Sequence, residues 1–267
     1  MYARMHLPVA PECNIRCNYC NRKFDCVNES RPGVTSEILT PKQAYEKYLL
    51  VSKKLENLSV IGFAGPGDAL ANFVQVRETV ELIKNDNDNI TFCLSTNGLM
   101  LPHYAEDIIN LGISHVTVTI NSVDPKISAA VYSHINYENK FYTGEKGAVI
   151  LLENQLKGLK ILADAGTVIK VNIVAIRGIN DFHIEEVVKT AKNYGAYKTN
   201  IMQLVPAENT KFQNILPLGT KELNNIRNKC SSHLKQMYHC KQCRADAIGT
   251  LTNDISPDFV KNCFNCV

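Results

Sequence analysis

Three cysteines near the start of the chain, in Cys13-Asn-Ile-Arg-Cys17-Asn-Tyr-Cys20, have a C-x3-C-x2-C spacing. Thiolates suit iron–sulfur ligation, and three of them on one short loop can hold three irons of a [4Fe–4S] cluster. A simple electron carrier uses four cysteines, so three leave one iron open to a substrate or cofactor. The competing chemistry is a three-cysteine zinc site completed by His6 or another residue, although zinc favours C-x2-C pairs.

Seven of the ten cysteines fall in close groups: this triad, Cys240 with Cys243, and Cys263 with Cys266. In a cytosolic chain such grouping points to metal binding or catalysis rather than disulfides. On spacing alone the two C-x2-C pairs fit a four-thiolate zinc site. Cys26, Cys93 and Cys230 stand apart. A lone cysteine is commonly a small buried hydrophobe, which is the expectation for Cys93 and Cys230 from residue type. Glu29 and Arg31 lie close to Cys26. A carboxylate there could serve as general base and a guanidinium could neutralise charge, or the two could form a surface ion pair.

Polar groups recur after apolar runs. Ala64-Gly65-Pro66-Gly67-Asp68 is a glycine-rich turn, weak evidence by itself. Ser95-Thr96-Asn97-Gly98 and Asn121-Ser122-Val123-Asp124-Pro125 offer hydroxyls and amides that suit a ribose or a carboxylate. Each could equally be a cap or turn. Ile176 opens a further such segment, 176–180.

A frame must bring these groups together. Strand-like runs at 5–9, 58–63, 90–94, 115–120, 168–175 and 199–205 are short and bounded by Gly, Pro or Asn, or rich in β-branched residues. Helical patterns separate them at 41–54, 73–84, 102–111, 154–165 and 183–194, the first opened by Thr40 and Pro41. This alternation predicts an α/β fold, an open, partial (β/α)6 TIM-like barrel. Thr91, Cys93 and Ser95 oppose Phe92 and Leu94, and Lys170 and Asn172 oppose Val171 and Ile173. Helices bury one face, so the polar face lines the interior and leaves a cavity for a large charged ligand. A half-solvated antiparallel sheet gives the same alternation without the helices. After Val205 the signals fade. One helix is expected near 223–235, with a 1–229 core followed by a cysteine-rich, loop-rich metal-binding extension, 230–267.

Composition narrows the function classes. The length of 267 residues suits one barrel-sized domain, and 45% apolar residues allow a sizeable core. A net charge of +3 is too small to suggest nucleic acid as a partner. No run is long and apolar enough for a membrane span, and the first residues lack a signal peptide's apolar centre, so the expected location is cytoplasmic.

The triad, with Tyr19 as the aromatic residue before its last cysteine, resembles the radical S-adenosylmethionine (SAM) superfamily. The resemblance implies that the open iron chelates the amino and carboxylate groups of SAM and that the reduced cluster cleaves SAM to a 5′-deoxyadenosyl radical. It also implies SAM contacts at the turn containing Gly65, Gly67 and Asp68, at Ser95, Thr96 and Asn97, and at Asn121 and Ser122. The segment of Ile176 resembles the one that contacts adenine.

A closer resemblance is carried by residues 5–13 (MHLPVAPEC), 26–33 (CVNESRPG), 64–70 (AGPGDAL), 95–99 (STNGL), 121–125 (NSVDP), 178–183 (GINDFH) and 240–249 (CKQCRADAIG). Together these resemble the NifB family of nitrogenase cofactor maturases, in the form without the C-terminal accessory domain. Relatives carry a His-Pro-Cys segment upstream of the Met-His stretch, where this sequence begins at Met1-Tyr2. The resemblance implies two further [4Fe–4S] substrate clusters, fused into an [8Fe–9S–C] product. One SAM gives a methyl group to a cluster sulfide and a second gives the radical that takes hydrogen from it. Deprotonation then leaves carbide, with one sulfide added. His6, Cys26 and Cys93 become candidates for the first substrate cluster. Cys240 and Cys243 become candidates for the second, which Cys263 and Cys266 complete or hold instead. The implied partners are an electron donor such as ferredoxin or flavodoxin, iron–sulfur donors and cofactor scaffold proteins. The alternatives are another radical SAM maturase with auxiliary clusters, or a non-enzymatic iron–sulfur scaffold or carrier.

Overall fold

The computed structural model describes residues 2–26, 35, 37–238, 240 and 243–260. The chain opens with β1 (Ala3–His6) and β2 (Ile15–Cys17), then α1 (Pro41–Lys54), β3 (Leu58–Phe63), α2 (Phe73–Asp86), β4 (Thr91–Thr96), α3 (Leu101–Asn110) and β5 (Ile113–Thr119). It continues with α4 (Pro125–Val131), β6 (Tyr132–Tyr137), β7 (Lys140–Tyr142), α5 (Gly144–Asp164), β8 (Val168–Ala175), α6 (Ile184–Asn193) and β9 (Lys198–Gln203). Last come α7 (Thr220–Ser231), β10 (Ile248–Gly249) and α8 (Pro257–Val260).

Seven strands form one sheet in the order β10-β1-β3-β4-β5-β8-β9. The six from β1 to β9 pair in parallel, and β10 adds antiparallel to β1. The sheet is a curled half-barrel, as the alternation of strands and helices predicts. On its convex face Phe92, Leu94, Val116, Val118, Ile169, Val171 and Ile173 join one large core. The helices supply the other half. In α1, Thr40 accepts from the Gln43 N–H at 3.3 Å, and the Gln43 side chain accepts from the Thr40 N–H at 2.9 Å. This capping box and Pro41 fix where the helix starts. Ala44, Tyr48 and Val51 then fall on one stripe against the sheet. A second core under the rim contains Tyr19, Leu99, Tyr132, Val174, Ile176 and Leu204.

Several elements differ from the sequence reading. The first strand ends at His6 rather than running to Val9, because Leu7 turns its N–H to the Gly62 carbonyl while Val9 bonds back to Leu7. Helix α5 starts ten residues before the expected 154, at Gly144. Glycines at 144 and 147 disguise its first turn, but packing of Ala148 and Leu151 secures it. The hairpin β6–β7 was not expected; Glu138 and Asn139 both take positive φ between the paired Tyr137 and Lys140, a two-residue turn that favours antiparallel return. The helix expected at 223–235 spans Thr220–Ser231, crossing position 229 with Cys230 packed in the main core. Beyond it β10 closes the first edge of the sheet, and Ala245, Asp246, Ala247 and Ile248 are buried. No helix among the described residues is long and apolar enough to cross a membrane.

Candidate functional site

The cysteine loop is held by backbone pairing. Strand β2 runs antiparallel to β6, with Cys17 opposite Tyr132, and the Asn18 N–H donates to Val131 O at 2.9 Å. The loop's approach is pressed against the glycine-rich turn. Gly67 N–H donates to Ala10 O at 2.6 Å and Asp68 N–H to Glu12 O at 2.8 Å. A Cβ on Gly67 would stand 2.1 Å from the Glu12 carbonyl oxygen, so only glycine permits this contact. Cys13, Cys17 and Cys20 line one enclosed pocket with Arg22, Cys26, Gly67, Asp68 and Asn97. Burial, with the Asp68 charge adding to it, pushes the Cys13 thiol up to about 12. Iron binding there must therefore displace a proton. Among the described residues no three His, Cys, Asp or Glu side chains gather as ligands of a single metal ion. A cluster spreads its thiolates over separate irons and does not require that arrangement.

Asp68 organises this corner. Its carboxylate accepts from the backbone N–H of Leu70 at 2.9 Å, Ala71 at 3.2 Å and Asn97 at 2.6 Å, and from the Thr96 hydroxyl at 3.1 Å. Burial raises its pKa, and these donors pull it back. Asn97 donates to Asn14 Oδ1 at 2.7 Å and accepts from the Leu99 N–H at 2.9 Å. The Ser95 side chain is partly exposed on the inner face of β4.

The other expected SAM contacts have partners within the protein. Asn121 donates to the hydroxyls of Tyr19 at 2.7 Å and Tyr132 at 3.1 Å, and its Oδ1 accepts from the Val174 N–H at 2.8 Å. Asn121 and Tyr19 are fully buried. Ser122 Oγ accepts from the Asp124 N–H at 2.9 Å, in the turn that opens α4. Ile176 is buried, with its N–H donated to Asn180 Oδ1 at 2.7 Å. Asn180 also donates to the carbonyls of Asn121 and Val174, tying the ends of β5 and β8 together. The sequence reading placed it at the end of the 176–180 segment without giving it this role.

A second constellation lies on the concave face. The parallel register sets His6 beside Gly62, and Gly62 beside Cys93, on three neighbouring strands. A Cβ on Gly62 would stand 2.9 Å from His6 Cδ2, 3.3 Å from His6 Nε2 and 3.1 Å from Cys93 Sγ. The imidazole and the thiol thus flank a space that exists because residue 62 has no side chain. An isolated glycine inside a strand was the available signal. His6 Nδ1 lies 3.1 Å from the Arg244 carbonyl oxygen. A carbonyl can only accept, so Nδ1 carries the hydrogen and Nε2 keeps its lone pair. Burial holds the imidazole down at about 4, with the charges of Arg4 and Lys170 acting in the same direction. Burial pushes the Cys93 thiol up to about 11, with Lys170 opposing.

The C-terminal cysteines approach from the other edge. Cys240 packs against the rim core, as do Cys13 and Cys20. Cys243 Sγ accepts from Arg4 Nη2 at 2.9 Å. Asp25 accepts from the Thr35 N–H at 3.2 Å and also from the Thr35 hydroxyl. Glu29, Arg31, Cys263 and Cys266 lie outside the described residues.

A curled parallel half-barrel with a three-cysteine loop at its rim is the architecture of a radical SAM protein, and the chain belongs to that superfamily: the Radical SAM superfamily model matches residues 7–191. Among curated proteins it is similar to the FeMo cofactor biosynthesis protein NifB of Bradyrhizobium diazoefficiens, 48% identical over 265 residues, covering 98% of this chain and 53% of the relative. The proteins of the same name from Klebsiella pneumoniae and Azotobacter vinelandii are 46% and 44% identical, each over 97% of this chain and over 56% and 52% of theirs. The chain spans about half the length of the curated relatives it matches. Among solved structures it resembles Streptococcus suis SuiB bound to S-adenosylmethionine, with TM-score 0.58 and 13% identity over 87% of this chain and 50% of the other. It also resembles anSMEcpe with bound AdoMet, with TM-score 0.60 and 15% identity over 87% and 63%. These two support the fold. Membership implies a [4Fe–4S] cluster and SAM.

Proposed function

We propose that this chain fuses two [4Fe–4S] substrate clusters, inserts a carbide derived from a SAM methyl group and takes up one further sulfide, giving an [8Fe–9S–C] precursor of the nitrogenase cofactor. The observation that carries this reading is the convergence of His6 Nε2 and Cys93 Sγ on the space over Gly62. It is a second set of iron-ligating atoms, separate from the triad. The similarity to proteins named for FeMo cofactor biosynthesis, over nearly the whole chain, supports it.

Cys13, Cys17 and Cys20 hold the resident cluster, a reading supported by their lining of one shared pocket. When bound, that cluster supplies the electron that cleaves SAM to methionine and a 5′-deoxyadenosyl radical. Gly67 holds the glycine-rich turn against the cysteine loop, and Asp68 and Asn97 fix the rim around it. Asn121, Ser122 and Ile176 shape the SAM site by holding the strand ends. His6 and Cys93, with Cys26, hold the first substrate cluster. Cys240 and Cys243, with Cys263 and Cys266, hold the second. A mixed imidazole and thiolate set binds iron less permanently than four thiolates and so favours product release. Glu29 removes protons from the methyl carbon and Arg31 offsets cluster charge. The reductant is a ferredoxin or flavodoxin, and iron–sulfur donors and a cofactor scaffold stand before and after the reaction.

The test is anaerobic incubation of iron-loaded protein with dithionite and SAM carrying a labelled methyl carbon. The expected products are 5′-deoxyadenosine, S-adenosylhomocysteine and label within an iron–sulfur cluster. 5′-Deoxyadenosine without cluster-borne label would leave a different radical SAM maturase. The absence of both would leave a scaffold or carrier.

A further inference from the structure

Strand β1 places two polar side chains, Arg4 and His6, on one face, with Ala3 and Met5 buried on the other. Both polar side chains reach across to the C-terminal segment. Arg4 Nη1 donates to Gly249 O at 2.7 Å and Nη2 to Cys243 Sγ at 2.9 Å. The guanidinium is therefore a fork, with one tine on the backbone of β10 and the other on sulfur. The third donor, Nε, is buried with no hydrogen-bond partner among the described residues. A buried unsatisfied donor is costly unless a ligand supplies the acceptor. Among the described residues no carboxylate pairs with Arg4, whereas neighbouring Arg244 is paired with Asp246 at 2.8 Å. Arg4 thus keeps its positive charge facing Cys243.

We infer that Arg4 is the positioning and charge-compensating residue of the substrate cluster held at Cys243. Its Nη2 donates to the Cys243 sulfur and its Nε to an acceptor on the anionic cluster, while Nη1 anchors the fork to Gly249. This rests on the proposed assignment of Cys240 and Cys243 as cluster ligands. Hydrogen bonds to sulfur and nearby positive charge make a cluster easier to reduce. Lysine cannot replace the fork, because one ammonium does not serve the sulfur and the carbonyl in the same geometry.

The test compares wild type, Arg4→Met, Arg4→Lys and Cys243→Ala in the full, anaerobically iron-loaded protein. Iron per chain, iron loss to a chelator, and the reduction potential of each cluster by electron paramagnetic resonance are measured. Cys243→Ala should lose one cluster's iron. Arg4→Met should lower the potential of that same cluster and leave the triad cluster's potential unchanged. Its iron should leave ~10-fold faster. Arg4→Lys should restore the potential in part while iron still leaves faster than from wild type. If Cys243→Ala keeps all its iron, the ligand assignment fails and the role of Arg4 with it. If Cys243→Ala loses a cluster while Arg4→Met keeps wild-type potential and iron retention, the role of Arg4 alone is overturned. Should Arg4→Met not fold, wild-type potential and chelator kinetics in Arg4→Lys overturn it equally.

Discussion

His6 and Cys93 meet over Gly62: from the point where a side chain on residue 62 would begin, the imidazole Nε2 is 3.3 Å away and the thiol sulfur 3.1 Å. Three parallel strands in register create this relationship, and one methyl group is enough to disturb it. Gly62→Ala should displace the imidazole, whose Cδ2 would lie only 2.9 Å from the new carbon. Overpacking of this kind costs about 1–3 kcal/mol. Iron should drop by one cluster while SAM is still cleaved to 5′-deoxyadenosine. Iron analysis alongside chromatography of the nucleoside products checks both, and full iron content would remove Gly62 from the site.

The His6 imidazole also sets a pH dependence. Its pKa is lowered from 6.5 to about 4 by burial. As pH falls below 6.5 the unfolded chain takes up a proton that the folded chain refuses until about 4. Iron-free protein is therefore favoured by this group above the upper value and loses that stability as pH falls through the window, on the order of 3 kcal/mol. His6→Gln should flatten the slope. Urea midpoints across that window are the measurement, and parallel slopes for the two proteins would mean the imidazole is solvated.

Asn121 stands at the rim, yet its side chain is spent on Tyr19, Tyr132 and the Val174 N–H. Asn121→Ala leaves those groups buried without partners, a loss of about 3 kcal/mol. The denaturation midpoint should fall. An unchanged midpoint together with lost SAM affinity would show the amide facing the ligand instead.

Asp68→Asn exchanges an acceptor for an amide that must turn a donor either toward the N–H of Asn97 or toward the N–H groups of Leu70 and Ala71. A destabilisation of about 2 kcal/mol follows from the buried mismatch. The turn that grips the cysteine loop should loosen, and the triad cluster should leave to a chelator faster than from wild type. Calorimetry and the rate of iron bleaching read the two effects. Wild-type values in both would confine Asp68 to a dispensable cap.

Some of this was legible in the residues themselves. The Cys13–Cys17–Cys20 spacing fixes its own geometry, because so few residues cannot carry the thiols far apart. The six parallel strands were legible because β-branched runs alternate with helical patterns, and the polar inner faces of β4 and β8 follow from a two-residue period. The hairpin at Glu138-Asn139 and the first turns of α5 were not, since positive φ at Glu138 and helical Gly144 and Gly147 go against local preference and are secured by packing.

What only the tertiary structure decided is who meets whom. Strand register puts His6 and Cys93 on either side of Gly62. The antiparallel return of β10 brings Cys243 to Arg4 and the Arg244 carbonyl to His6. Burial gave Asn121 and Thr96 internal partners on distant segments. Local spacing dictates the chemistry of a short loop. Contacts between distant segments depend on sheet order and register, which arise from the packing of the whole chain and leave no mark at any single position.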